Sequence, residues 1–433
     1  MRYLQNGFLY MLMLGALACQ GSNGVAPATA TDTGKVVQLS PSKPDVTLAM
    51  PAGFTATVFA GGLGKARHIV TTPSGYVYVK LDGTKNGGTI VRLQDTNGDG
   101  IADNESDFGT FKGTGIGIRN GYLYASSDED VYRYKLNENG TVSNTSQPEK
   151  IITGLISRGE HEAKAFTLDN DGNIYVNIGA FSNSCQIADR QTGSPGRKPC
   201  PVLDSAAGIW QFRTDKANQT YGDGVRYATG LRNVVGLDWN TVTNTLFVMQ
   251  HGRDQLTMFP QFYNEKQNAE LPAECMYEIH KGDNAGWPYM YYDPAQQKKM
   301  LMPEYGGDGI KTAGEDAIDP TVAFPAHTAP NGLLFYTGNK FPEKYKNGAF
   351  IAFHGSWNRA PEPQQGFYVA FVPFHDGKPS GKWEIFANNF SGGPDKTASG
   401  RALHRPCGLA QGPDGALYVT DDSKGTVWKI TYK

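Results

Sequence analysis

Glu160-His161, Arg232-Asn233, His327 and His404-Arg405 each stand just before a short apolar segment, as do Arg67-His68 and Thr114. Lys80, Gln250-His251 and the run His354-Gly355-Ser356-Trp357-Asn358-Arg359 each stand just after one. Six of the eight histidines occupy or adjoin these places. Imidazole titrates near neutral pH and takes protons from hydroxyls, while a guanidinium holds carboxylates in a two-pronged fork. Gathered in one concavity, such groups would bind an anion and transfer protons beside it. His161 is the candidate general base. One His or Arg at such a position is an ordinary hydrogen-bonded or solvated residue. Recurrence at equivalent positions is what points to a site.

The elements that would position these residues form a loose repeat of apolar strand, Gly- or Asn-containing turn and second apolar strand. Six copies are legible, beginning near Arg67, Gly115, Ala165, Val234, Asn331 and Gly408. Asn-Gly and Asp-Gly pairs between such strands mark hairpins. The repeat predicts an all-β fold, a six-bladed β-propeller of four-stranded blades. A pair of β-sandwiches is the alternative. In a propeller the first strand of each blade lines a central channel. The positions before first strands and after second strands then share one rim. Residues 250–325 are expected to form a long loop, and the strand Phe54 to Phe59 is expected to close the ring beside Gly425 to Thr431.

The chain has 433 residues and a net charge of −2, with Gly 53, Tyr 22 and Phe 21. That composition suits many short strands, and the lack of a basic stripe argues against nucleic acid as a partner. Residues 1–18 read as a signal peptide, with an apolar run too short to span a bilayer. Ala16-Leu17-Ala18-Cys19 resembles a bacterial lipobox, so residues 19–47 are expected to be a lipidated Cys and flexible tether, and 48–433 the propeller. A plain secretory leader with an incidental Cys is the alternative. The chain is therefore expected to be exported, periplasmic or at the cell surface, and held to the outer membrane through Cys19. Cys185 and Cys200 bracket a Gly- and Pro-containing loop that a local disulfide would close. Cys275 and Cys407 are either a second bridge or two buried thiols.

The run from His354 to Arg359, followed by Gly366-Phe367-Tyr368 and Val372-Pro373-Phe374, resembles the glucose/sorbosone dehydrogenase family. Gly230-Leu231-Arg232-Asn233, Asn284-Ala285-Gly286-Trp287-Pro288 and Arg405-Pro406-Cys407-Gly408 extend the likeness over about residues 50–431. The resemblance implies a six-bladed propeller that oxidises sugars with pyrroloquinoline quinone (PQQ) and calcium. An unidentified quinone or cytochrome would then accept the electrons. It implies that His161 takes the proton of the anomeric hydroxyl and that Arg232 polarises the quinone carbonyl. Glu160, Asn233, His327, Trp357, Arg359 and Arg405 are expected at the cofactor. Gly252 and Arg253 would offer backbone carbonyls to its calcium, and Glu274 would belong to a nearby calcium site. Glu160 stands where the glucose enzymes have Asp, Thr114 where they have Gln, and Arg359 where they have Lys.

Asp95, Asn97 and Asp99 alternate with a turn-forming Gly98, like the start of an EF-hand loop, although Ser106 takes the place of the closing Glu. A surface calcium loop and a polar hairpin turn are both open readings. Two rival functions also stand: a calcium-dependent lactonase-type hydrolase, and a non-catalytic propeller that only binds. The first is disfavoured by rim positions rich in Arg and His and poor in acids.

Overall fold

The structure is a computed structural model that describes residues 36–39, 43–398 and 400–433. The leader, Cys19 and the first part of the tether lie outside the described residues.

Each sequence repeat forms the first two strands of a separate antiparallel sheet. Ala66–Thr71 pairs with Val77–Lys85, Ile116–Arg119 with Tyr122–Ser126, and Phe166–Leu168 with Asn173–Ile178. Val234–Asn240 pairs with Thr245–Gln250, Pro330–Phe335 with Ala349–Phe353, and Pro406–Gln411 with Leu417–Asp421. Two further strands complete four of the sheets and three complete the first and second, giving six blades. The first strands pack in a closed cycle, each against the first strand of the next blade and the last against the first. Blades are stacked face against face, so strands such as Ala349–Phe353 and Tyr368–Val372 are buried along their whole length. Their continuous apolar runs follow from burial on both faces. Between the fourth and fifth blades, Phe247, Phe335 and Phe374 meet with ring centroids 4.9 to 5.7 Å apart.

The ring closes through the N-terminal strand. Phe54–Ala60 pairs antiparallel with Val427–Tyr432, with Phe54 opposite Tyr432, and becomes the outer strand of the sixth blade. Closure thus joins the two ends of the described propeller in one sheet.

Two expectations need correction. The long loop over 250–325 holds the third and fourth strands of its blade, Glu274–Ile279 and Val322–Phe324, together with the helix Glu265–Glu270 and the hairpin Met290–Asp293 with Lys298–Leu301. Those strands are short and separated by more than forty residues, so the repeat pattern hides them. The described end of the tether is also docked. Val37–Gln38 adds a fifth strand to the first blade, and Asp45 receives a hydrogen bond from His404 at 2.7 Å.

Candidate functional site

The rim at which first strands begin gathers side chains from blades three, four and five around a cavity of about 320 Å³. Glu160 and His161, Arg232 and Asn233, His251 and Gly252, Glu274, His327 and Trp357 all line it. Arg190, Asp254 and Asn358 line it too.

His161 stands in the loop that leads into the third blade's inner strand Phe166–Leu168, with φ +51°. That left-handed backbone is uncommon outside glycine and costs on the order of 1 kcal/mol. Gly179 makes room for it: a Cβ there would lie 2.6 Å from both the Cβ and the carbonyl oxygen of His161. The ring Nδ1 lies 2.5 Å from the carbonyl oxygen of Ala180, a partner that can only accept. Nδ1 therefore carries the proton, and Nε2 is left as a basic lone pair. Withdrawal from bulk water, and then the charge of Arg232, lower the imidazole pKa to about 3. The ring is therefore a neutral proton acceptor over the whole physiological range.

Arg232 is buried, and the protein engages most of its guanidinium. Nε donates to the carbonyl of Asn183 at 3.1 Å, and Nη2 to Asn183 Oδ1 at 3.0 Å and Asp254 Oδ2 at 2.9 Å. Nη1 donates to the carbonyl of Gly252 at 2.8 Å. Of the five N–H groups of an arginine, one, on Nη1, remains for a ligand. Asp254 is the hub opposite: its Oδ1 accepts from Asn358 at 2.5 Å and lies 4.0 Å from His327 Nδ1. Burial would raise its pKa, but Arg232, His327 and Arg190 hold it below the usual carboxylate value. His327 is fixed from behind, where Nε2 donates to the carbonyl of Asn268 at 2.7 Å.

Three side-chain oxygens on this wall, Glu160 Oε2, Asn233 Oδ1 and Asn358 Oδ1, are buried without a hydrogen-bond partner. Buried polar atoms are normally paired, so three orphaned acceptors in one cavity mark a place built for something that donates. Beside them Trp357 is 59% exposed, although its indole is large and apolar.

Arg359 and Arg405 do not line this cavity. Arg359 folds back onto the backbone, donating to Ala269, to Ala326 at 3.2 Å and to Pro363 at 3.0 Å. Arg405 donates to the carbonyls of His354 and Gly355 at 3.1 and 2.6 Å. Both hold loops, where the sequence suggested a grip on an anion. The side chain of Arg253 is also directed elsewhere, into a fully buried ion pair with Glu304 at 2.5 Å.

At the positions expected to hold calcium, the oxygens are engaged within the protein. The Gly252 carbonyl faces the Arg232 cation, and Glu274 accepts from the N–H groups of Gly252 and Ala329 at 2.8 and 3.3 Å. Burial raises the Glu274 pKa to about 7. A divalent ion at Gly252 would sit against a guanidinium, so this arrangement does not fit one. Asp95, Asn97 and Asp99 accept from the N–H groups of Gly98, Asp99 and Ile101 within their own turn. Among the described residues no group of three or more His, Cys, Asp or Glu is placed to hold a metal.

The rim is not poor in acids, as the sequence suggested: Glu160, Asp254 and Glu274 all reach the cavity. Asp254 and Arg190 are the residues that sequence reasoning missed. Arg190 lies on the loop closed by the Cys185–Cys200 disulfide. Cys275 and Cys407 are separate buried thiols.

A family model described as TrAA12-like matches residues 48–433. The chain belongs to the TrAA12-like family. Among its relatives, a pyrroloquinoline quinone-dependent sugar dehydrogenase of Hypocrea jecorina is 23% identical over 406 residues, covering 87% of this chain and 88% of that one. A pyrroloquinoline quinone-dependent pyranose dehydrogenase of Coprinopsis cinerea is 26% identical over 277 residues, 55% of this chain, and the match spans only 36% of that enzyme. An uncharacterised protein of Borreliella burgdorferi is 25% identical over 403 residues, covering 89% of this chain and 91% of that one. In structure, the holo PQQ domain of the Coprinopsis cinerea pyranose dehydrogenase superposes with a TM-score of 0.72 at 20% identity, over 90% of this TrAA12-like chain and 98% of that one. The Escherichia coli soluble aldose sugar dehydrogenase gives a TM-score of 0.57 at 15% identity, over 88% and 100%. These superpositions agree with the six-bladed fold described above.

Proposed function

We propose that this TrAA12-like chain is a quinone-dependent sugar dehydrogenase that oxidises the anomeric carbon of an aldose in the cavity beside His161 and Arg232. The observation that carries the reading is the orientation of His161. Its Nδ1–H is committed to Ala180, which leaves Nε2 as a neutral base next to a buried guanidinium. The names of the Hypocrea and Coprinopsis relatives support the same chemistry.

The residues fit a flat anionic quinone. Arg232 supplies positive charge, Trp357 a planar face, and the cavity of about 320 Å³ the room. When bound, the quinone supplies the acceptor for the hydride leaving the anomeric carbon. His161 Nε2 takes the proton of the anomeric hydroxyl, so the C–O bond becomes the carbonyl of a lactone. The remaining Nη1 donor of Arg232 is placed to stabilise an oxygen on which charge develops. Asn233 Oδ1, Glu160 Oε2 and Asn358 Oδ1 accept from sugar hydroxyls. The Cys185–Cys200 disulfide supports work in an oxidising compartment, in keeping with a chain exported and anchored through Cys19.

The test is to add pyrroloquinoline quinone to the purified protein, with and without calcium, and follow dye reduction over a panel of aldoses while assaying lactone hydrolysis in parallel. Aldose-dependent reduction that Arg232→Ala abolishes supports the reading. Hydrolysis without reduction favours the lactonase alternative, and neither activity favours a binding protein.

A further inference from the structure

Arg190 is the least committed cation of the cavity. Its Nε donates to Glu160 Oε1 at 3.1 Å and its Nη1 to Gln255 Oε1 at 3.1 Å. Among the described residues Nη2 makes no hydrogen bond, and it lies 3.6 Å from Asp254 Oδ2. Two of the five N–H groups are thus used and three are free, against one free on Arg232. The side chain remains 31% exposed and lines the cavity.

Its surroundings narrow the ligand. Glu160, Asp254 and Asp189 all lie within ion-pair distance of the guanidinium. A carboxylate ligand would meet these acids. A neutral polyol would not, because each hydroxyl both accepts and donates. Glu160 meets Arg190 Nε through Oε1 and leaves Oε2 without a partner, which suits adjacent hydroxyls of one sugar: one accepts from Arg190 and its neighbour donates to Glu160.

What delivers Arg190 is the loop from Cys185 to Cys200, closed by their disulfide. Inside it, Arg190 N donates to Gln186 Oε1 at 2.8 Å, and Asp189 Oδ1 accepts from Ser182 at 2.5 Å. Ser184 ties the loop base to Glu304 at 2.8 Å, the same carboxylate that holds Arg253. The bridge thus limits where the guanidinium can go.

We propose that Arg190, held in place by the Cys185–Cys200 loop, is the residue that grips the hydroxyls of a neutral sugar, while His161 and Arg232 attend to the reacting carbon. The proposal rests on the sugar dehydrogenase reading and adds a binding residue to it.

The experiment compares Arg190→Gln and Arg190→Lys with the parent in two ways. One is steady-state oxidation by the quinone-loaded protein. The other is sugar binding to the quinone-free protein, followed by tryptophan fluorescence. Arg190→Gln is expected to raise KM and Kd on the order of tenfold, with kcat changed less than about twofold, and Arg190→Lys to recover part of the loss. Cys185→Ser with Cys200→Ser should raise KM in the same direction and add little on top of Arg190→Gln. An active parent whose KM and Kd are untouched by Arg190→Gln, or whose kcat alone falls, overturns the proposal. So does a parent that prefers sugar acids to aldoses. Fully additive effects of the cysteine and arginine substitutions overturn the role of the loop. A parent that neither binds nor oxidises any sugar overturns the underlying reading along with it.

Discussion

Asp254 Oδ2 lies 2.9 Å from Arg232 Nη2, and this contact ties the loop after the second strand of the fourth blade to the residue just before its first strand. The pair is nearly enclosed, with side-chain exposures of 4% for Arg232 and 16% for Asp254. Removing one partner from such a pair leaves an uncompensated charge. Asp254→Ala is expected to lower stability by roughly 3 kcal/mol, and Asp254→Asn, which keeps the shape, by less. The midpoint of urea unfolding measures both. Equal stability of all three proteins would show that water reaches Arg232 and compensates it.

The protonation state of His161 predicts an unusual pH profile. A histidine at its ordinary value would be protonated, and inactive as a base, below about pH 6.5. Here the imidazole pKa is lowered to about 3 by withdrawal from water and by Arg232. kcat/KM for sugar oxidation should therefore show no acid limb near pH 6.5 and stay level down to about pH 5. In Arg232→Gln one of the two depressing influences is gone, so the His161 ring should titrate at higher pH than in the parent. A profile of kcat/KM against pH for the parent, with NMR titration of the His161 ring in both proteins, checks this.

Acid should destabilise the fold in a definite window. His161 and His251 are held at about 3 and His68 at about 4, in each case mainly by burial. Unfolded, these rings take protons as the pH falls below about 6.5; folded, they refuse them. Stability is intact above that pH and is lost towards pH 4, each ring contributing up to about 1.4 kcal/mol per pH unit. Glu274 and Asp238, raised by burial to about 7, act in the opposite sense, since the folded protein takes up their protons first. Three groups against two leave a net loss. The parent should melt at clearly lower temperature at pH 4.5 than at pH 7, and His251→Gln should narrow the gap.

Ring closure depends on Phe54, whose ring lies 4.8 Å from both Phe341 and Phe386 and 4.9 Å from Tyr432. Truncating a packed phenylalanine costs about 3 kcal/mol. Phe54→Ala is expected to lower the melting temperature by several degrees while KM for the sugar stays unchanged, because the aromatic cluster does not line the cavity. A shift in KM would show that the closing strand reaches the site.

The propeller was legible because its hairpins carry their own turn chemistry. Asn120-Gly121 and Asp171-Gly172 fix two-strand units locally, and counting them gave the blades. His161, Arg232, Asn233, His251 and His327 were legible because repeat position alone puts them on one rim. Asp254 was not, since it stands four residues beyond the strand Thr245–Gln250, in a loop whose path no local rule sets. Arg190 was hidden similarly, although Cys185 and Cys200 bracketing it were a usable signal. Arg359 and Arg405 misled because sequence shows a guanidinium but not the carbonyls of Ala326, Pro363, His354 and Gly355 that fold back to occupy it. The third and fourth strands of the fourth blade were lost inside a long insertion for want of spacing.

In the proposed reaction His161 Nε2 takes the proton as the sugar is oxidised. Single-turnover oxidation of an aldose by the quinone-loaded parent and by His161→Gln, with quinone binding measured in both, tests it most directly. Quinone binding should be equal and the rate lower by about a hundredfold or more in the variant. Equal rates in the two proteins would contradict it.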